Sequence, residues 1–277
     1  MIYVVSYATS EFRKSQKELA ASALKHGADR VFSFNDTQLK KTKFYRENKK
    51  ILTLPRGAGY WLWKPYYILE TLKMLNDEDY LIYLDSGIRV IDNLQKLTHI
   101  CYQSSKGLML FTDRRHLNKK YTKMDCFYLM DCMDTKYKES NCLTASIQVY
   151  KKNAFTIAFL EEWLNCCSNE YILTDIPNKY TTSNDESFVD HRHDQAVLSI
   201  LAVKHDLELY RDPTQWGDYL KLPELRTNKD YIEESGYSLT PMENSRYPTL
   251  FDHHRKRNKS IGYYIRIIRR FKWSKRS

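Results

Sequence analysis

The sequence has no run of 18 apolar residues, so no stretch of it is long enough to span a bilayer as a helix. It has no CxxC pair either. Its six cysteines, at 101, 126, 132, 142, 166 and 167, lack the spacing of a zinc site or a secreted disulfide framework, which predicts reduced thiols acting as core filler. Met1 leads straight into a β-rich stretch, and no secretory signal is read there, so a cytoplasmic location is expected. With eight glycines in 277 residues there is little material for phosphate-cradling loops. Gly57-Ala58-Gly59 lacks the later glycine and the preceding strand of a Walker or dinucleotide-binding turn.

Acidic residues are missing from one place in particular. Residues 255–277 hold ten Lys/Arg and no Asp or Glu, while the other 254 residues hold 34 basic and 34 acidic side chains. The net charge of +10 therefore belongs to the tail. A fold that tracks a nucleic-acid backbone needs basic residues spread along its surface, so no nucleic-acid partner is expected. What the chain does have is aromatic surface, with 22 tyrosines and five tryptophans, the side chains that meet ligands having both apolar and polar faces.

Strand and helix patterns alternate. Ile2–Tyr7 reads as a strand, Glu11–Lys25 as a helix stopped at Gly27, and Arg30–Phe34 as a second strand. A charged segment, 38–50, leads to a loop at 55–59 and a helix over 65–75, with Pro65 in its first turn. Tyr80–Leu84 is an apolar run too short for a helix and predicts a buried central strand, with further strands at 107–112, 145–150 and 208–210. Helices are expected over 154–166, with Phe155, Phe159 and Trp163 as a core stripe, and over 194–204. The fold class that follows is α/β: one domain over 1–254, a mixed and mainly parallel sheet covered by helices, then a basic amphipathic tail over 255–277.

Four clusters carry candidate chemistry. Asp85 ends the central strand, where ligands sit in open α/β sheets; it either holds a divalent cation against a diphosphate or makes a turn with Ser86 and Gly87. His191-Arg192-His193-Asp194-Gln195 precedes an apolar helix; it either serves metal, phosphate or sugar hydroxyls, or is an N-cap with two solvated histidines. Asp252-His253-His254-Arg255 offers imidazole to a metal ion, or is plain surface. Gly59-Tyr60-Trp61-Leu62-Trp63-Lys64-Pro65 sets a lysine among aromatics at a helix start, an anion-favouring place, though some of those rings plug the core edge.

Taken in order, the clusters resemble nucleotide-sugar glycosyltransferases of the GT-A fold, in particular bacterial and viral ones with a GYWxWKPY, YLDxG, TKxD and HRHDQ layout. The likeness runs through Val4–Tyr7, Gly59–Tyr66, Leu81–Gly87, Thr122–Asp125, Ala145–Asn153 and His191–Leu201. It implies transfer of a sugar from a nucleotide-diphosphate donor to a glycan or lipid-linked glycan acceptor, as in polysaccharide synthesis. It further implies Asp85 with His253 or His254 at a Mn²⁺ or Mg²⁺ ion. Donor contacts are implied for Ser6, Tyr7, Tyr60, Lys64, Ser86, Lys123 and Arg192, and reaction-centre roles for His193, Asp194 and Gln195, with retention of configuration. Gly87 stands where the usual DxD motif has its second Asp, which leaves the cation one carboxylate short. Two other classes compete. A non-catalytic basic protein that binds nucleic acid or membrane would have to rely on the tail alone, and a nucleotidyltransferase would need paired carboxylates for two metals.

The tail interleaves Tyr264, Ile267, Ile268 and Phe271 at helical spacing with arginine and lysine, the pattern of a helix lying on an anionic membrane. This implies a peripheral position on the inner face of the cell membrane.

Overall fold

A computed structural model describes residues 1–214, 216–217 and 242–254. The chain opens with β1 (Ile2–Ala8), α1 (Arg13–Lys25) and β2 (Arg30–Asn35). Where the sequence suggested only a charged segment, three short helices follow: α2 (Asp36–Leu39), α3 (Lys43–Glu47) and α4 (Lys49–Leu52). Asn35 and Thr42 cap the first two by accepting from Gln38 N and Tyr45 N, so turn-forming side chains define them more than any apolar stripe does. Next come a turn, α5 (Gly57–Tyr60), and α6 (Trp63–Met74), which holds Pro65 in its first turn as expected.

β3 (Tyr80–Leu84) and β4 (Ile88–Val90) are separated by the Asp85–Gly87 loop. α7 (Gln95–Gln103) and β5 (Leu108–Leu117) follow, then α8 (Asn118–Tyr121), α9 (Met124–Leu129), α10 (Thr135–Lys138) and β6 (Asn141–Lys151). α11 (Ala154–Cys167) starts at a capping box in which Asn153 accepts from Thr156 N while Thr156 Oγ1 accepts from Asn153 N. The described chain ends with α12 (Glu170–Leu173), α13 (His193–Lys204), β7 (Leu209–Arg211) and β8 (Phe251–His253).

The main sheet has the order β2-β1-β3-β6-β5-β7. The β1–β2, β1–β3 and β5–β7 pairings are parallel, and β6 runs antiparallel to both of its neighbours, so the sheet is mixed and mainly parallel. β3 is buried on both faces, which is why it reads as an unbroken apolar run. Leu81 and Tyr83 face a core built with α6, α11 and α13, while Ile82 and Leu84 face a second core under α1 and α7. Trp163 of the expected stripe is fully buried, and burying such a side chain contributes on the order of 3 kcal/mol. The six cysteines are unpaired, and five are buried.

A second, two-stranded sheet pairs β4 with β8 antiparallel. Its register sets Ile88 opposite His253, and His254 N donates to Gly87 O at 2.9 Å. More than 160 residues of chain thus close on themselves to bring the late histidines to the Asp85 loop. Among the described residues no helix is long and apolar enough to cross a membrane. The tail expected over 255–277 lies outside the described residues.

Candidate active site

Asp85 sits at the carboxyl end of β3. Its N–H donates to Ser146 O, its carbonyl accepts from Ile88 N, and its Oδ1 accepts from the Tyr83 hydroxyl at 2.5 Å. The turn reading and the functional reading are therefore both realised: the backbone turns, and the carboxylate faces open space with about a third of its side-chain surface exposed.

Facing it from the first turn of α6 is Lys64, only 3% exposed. Its Nζ lies 2.7 Å from Asp194 Oδ2 and 3.7 Å from Asp85 Oδ1, and it donates to Ala145 O. Burial pulls the ammonium's pKa down, but the two carboxylates more than reverse this, and Lys64 stays charged. Burial also pushes Asp194 up to about 6, against the pull of Lys64. Asp194 is not an N-cap: Arg192 holds that position and no side chain caps α13. The capping reading fails because the carboxylate turns inward to the lysine.

The two histidines beside it are buried as well, contrary to a solvated loop. His191 uses both ring nitrogens, Nε2 with Ile172 O at 2.8 Å and Nδ1 with Lys123 N, so it fastens α12 and the turn before α9 and has no nitrogen left for a ligand. His193 adopts φ 52°, costly for a residue with a Cβ, and its Nδ1 meets Leu173 O at 2.8 Å. A carbonyl can only accept, so Nδ1 carries the proton and Nε2 presents a lone pair. Nε2 is buried without a hydrogen-bond partner, 3.9 Å from Asp175 Oδ1. Burial holds both imidazoles below their ordinary pKa, so they are neutral at pH 7.

The loop before α6 has an unusual backbone. Gly57, Ala58, Gly59, Tyr60 and Trp61 all have φ between 52° and 96°, one turn of left-handed helix. Each non-glycine residue in it costs about 1–2 kcal/mol. At Gly59 an added Cβ would stand 2.6 Å from Leu52 Cα, so the turn is jammed against α4. The outcome is that Trp61 projects between two cavities and stacks on His193 at 5.6 Å, while Trp63 turns in to stack on Tyr7 at 4.0 Å. Trp63 is a core plug that reaches one of the cavities, and Trp61 lines both.

The two cavities, about 680 and 780 Å³, share Trp61, Asp85 and His253. The 680 Å³ cavity also takes in Lys64, Arg192, His193, Asp194, Gln195 and His254. The other is walled by Tyr7–Phe12, by the Pro55–Ala58 loop, and by Ser86 and Gly87. Three expected donor residues line neither. Ser6 is fully buried and takes a hydrogen bond from Gln16 on α1. Tyr60 donates to Asp175 Oδ2, and Lys123 is buried with its Nζ on Ile176 O. Ser6 and Lys123 are turned into the core, and Tyr60 is half-buried with its hydroxyl tied to Asp175.

One wall was missed altogether: Asp113, Arg115, His116, Thr144, Asp212 and Trp216. The run Asp113-Arg114-Arg115-His116, directly after an expected strand, was the available signal. Burial pushes the Asp113 carboxyl up, but a bidentate Arg115 outweighs this and holds it below the usual range, and burial keeps His116 neutral.

The expected metal set does not close. Among the described residues no group of three or more His, Cys, Asp or Glu side chains can hold a metal ion by itself. His253, the last residue of β8, lines both cavities, while His254, just past it, lines only the 680 Å³ one. What remains is one carboxylate, Asp85, with His253 at the shared rim. That pair fits a cation arriving with a diphosphate, whose oxygens and waters fill most of its shell, and does not fit a resident closed site.

No protein-family model and no curated protein matches the sequence. Among solved structures, mouse xyloside xylosyltransferase 1 is 9% identical, the match covering 92% of this chain and 98% of that one at a TM-score of 0.50. The galactosyltransferase LgtC, solved with donor and acceptor sugar analogues, is 14% identical over 91% of this chain and 87% of its own, at a TM-score of 0.42. The bifunctional glycosyltransferase WbbM is 11% identical over 93% of this chain and 46% of its own, at 0.46. The last two likenesses are too loose to carry weight, and at 9% identity the first speaks for architecture alone. With its strand order and its site at the carboxyl end of β3, the chain has the GT-A-like fold of glycosyltransferases.

Proposed function

We propose that the protein is a glycosyltransferase that moves a sugar from a nucleoside-diphosphate sugar to a glycan acceptor, with retention at the anomeric carbon. The observation that carries this reading is the pair of contiguous cavities meeting at Asp85, room for a nucleotide on one side and for two sugars on the other. The donor's base and ribose would lie against Tyr7–Phe12 and the Pro55–Ala58 loop. Its diphosphate would lie over Ser86 and Gly87, where the glycine lets the chain approach closely.

In the reaction the bond from the anomeric carbon to the phosphate oxygen breaks and a bond to the acceptor oxygen forms. The acceptor hydroxyl gives its proton to the departing phosphate on the same face. Asp85 and His253 would hold a Mn²⁺ or Mg²⁺ ion bound to the diphosphate, and such an ion supplies electrostatic stabilisation of the leaving group. Asp194, fixed by Lys64, sets a negative charge beside a carbon that becomes cationic, a group already oriented before the reaction begins. Gln195 offers an amide to sugar hydroxyls. His193 Nε2 accepts a hydrogen bond from a substrate hydroxyl, the one role its fixed tautomer leaves it. The basic tail would dock the enzyme on an anionic inner membrane face, where a lipid-linked acceptor lies.

The test is a thermal-shift screen of nucleoside diphosphates with and without Mn²⁺, followed by detection of nucleotide released from donor sugars. A ligand at 100 times its dissociation constant stabilises by about 2.7 kcal/mol, a shift of a few degrees for a chain this long. If no nucleotide raises the melting temperature and none is released from any donor, the reading is wrong.

A further inference from the structure

The wall that the sequence did not reveal has a charge balance that selects its ligand. Arg115 forms a two-pronged pair with Asp113, at 2.8 Å and 3.1 Å. The other arginines on this cavity also have carboxylates close by: Arg56 lies 2.9 Å from Asp175, and Arg192 lies 4.0 Å from Asp190 with its guanidinium over the Tyr121 ring. Lys64 has Asp194. Asp212, in contrast, is matched only by neutral donors among the described residues, with Thr144 Oγ1 at 3.1 Å from one oxygen and Thr214 N at 2.8 Å from the other. Among the described residues, each guanidinium lining this cavity has a carboxylate beside it, and no basic side chain lies within ion-pair distance of the buried Asp212.

Trp216 completes the wall. It is 41% exposed, lies beside Arg115, and is placed by a turn in which Trp216 N donates to Thr214 Oγ1. That turn folds tightly on the Asp212 backbone, since a Cβ at Gly217 would stand 1.8 Å from Asp212 O. It is also pinned to β8, because Leu250 N donates to Pro213 O and Thr214 bridges to Phe251. β8 carries His253, so the turn that places the tryptophan is joined to the shared rim through backbone pairing. A half-exposed indole with the Arg115 guanidinium over its ring, on a wall whose carboxylates accept, is suited to a ring with an apolar face and several hydroxyl donors.

We propose that Trp216, Asp212 and the Asp113–Arg115 pair form a subsite for an uncharged sugar ring and discriminate against acidic sugars such as uronic acids. Naming that sugar the acceptor rests on the transferase reading; the subsite itself does not. The ring stacks on Trp216, its hydroxyls donate to Asp212, and the outer edge of Asp113–Arg115 takes the next hydroxyl. A ring carboxylate would face Asp212 with no unpaired cation lining the cavity among the described residues, a like-charge juxtaposition of the kind that suppresses wrong partners.

The experiment is saturation-transfer NMR on the full-length chain with methyl glycosides of neutral hexoses and pentoses and of uronic acids, at neutral pH. Neutral glycosides are expected to bind at least about tenfold more tightly than uronates. Trp216→Ala should abolish that binding, and Trp216→Phe should restore most of it. Asp113→Asn leaves Arg115 without its carboxylate and should shift the preference toward uronates by about tenfold. Uronates binding as well as neutral sugars, neutral binding untouched by Trp216→Ala, or no binding of either class each overturns the proposal. Neutral-sugar binding in a protein that binds no nucleotide would keep the subsite and reject the transferase. Nucleotide binding with uronate preference would do the reverse.

Discussion

Lys64 and Asp194 are 130 residues apart in sequence and 2.7 Å apart in the fold, both almost wholly buried, with Asp85 the second carboxylate at 3.7 Å. An ion pair out of water is held by its geometry, and its contribution to stability is small compared with the cost of losing one member. Here the geometry sets the floor of the 680 Å³ cavity, so stability and the shape of the candidate site depend on the same contact.

Lys64→Met leaves Asp194 as an unpaired buried acid and should cost about 3–5 kcal/mol. Adding Asp194→Leu removes the orphaned charge, so the double variant should recover much of that stability while its transferase activity stays absent. Urea unfolding and turnover measured on both variants check this; a double variant no more stable than the single one would mean the pair is not the source of the loss.

The Asp194 proton gives opposite signs for stability and for activity. Its pKa is raised by burial to about 6 from an ordinary 3.8, so the folded chain holds this proton more tightly than the unfolded one. Its contribution to stability is present below the unfolded value and is lost as pH rises through about 6. On the proposed mechanism turnover needs the carboxylate, so kcat/KM should rise over the same interval, with an acid limb near pH 6. Asp194→Asn should flatten both profiles in that window. Melting curves and rates taken from pH 4 to 8 decide it.

These relationships mark how far the residues alone can be read. β3 and its terminal Asp85 were legible because a doubly buried strand leaves an unbroken apolar run and ends at a polar turn. Asp194 was legible as a candidate but not as the partner of Lys64, since the contact depends on the packing of α6, α11 and α13 and no local pattern encodes it. The wall at Asp113–His116 was invisible for the same reason: it acquires meaning only when β5 is set beside β6 and β7 and the Trp216 turn closes over it. Ser6 was misplaced by a single step of strand alternation, the shift that sends a side chain to the opposite face.

The left-handed turn at Gly57–Trp61 predicts a contrast between adjacent positions. Gly59→Ala meets both a φ of 96° and the Leu52 backbone at 2.6 Å, and should destabilise by about 1–3 kcal/mol. Ala58→Gly removes a Cβ from the left-handed region and should be neutral or stabilising by up to about 1 kcal/mol. Equal losses at both positions in denaturant titrations would argue against the turn.

Docking by the tail is tested separately from catalysis. Deleting residues 257–277 removes eight positive charges and spares His253 and His254. Each basic residue near an anionic surface contributes about 1 kcal/mol, screened by salt. The truncated chain should no longer sediment with phosphatidylserine vesicles yet should still act on a soluble acceptor analogue. Unchanged sedimentation, or binding by the full chain that ignores salt, would exclude the docking role.

Asp85 lies where the two cavities meet, and its replacement separates the two readings of that carboxylate. Asp85→Asn keeps the shape and the turn, whose hydrogen bonds to Ser146 and Ile88 are made by backbone. The fold should therefore hold, with a melting temperature near that of the parent. On the proposed mechanism the variant loses the charge that would position a cation on the diphosphate, and transfer should fall by about a hundredfold or more. His253→Ala should fall in parallel, and both should lose the extra stabilisation that Mn²⁺ adds to a bound nucleoside diphosphate. His254→Ala, which lines only one cavity, should keep that stabilisation. A full Mn²⁺ effect in Asp85→Asn, or a larger loss in His254→Ala than in His253→Ala, would move the cation away from the shared rim.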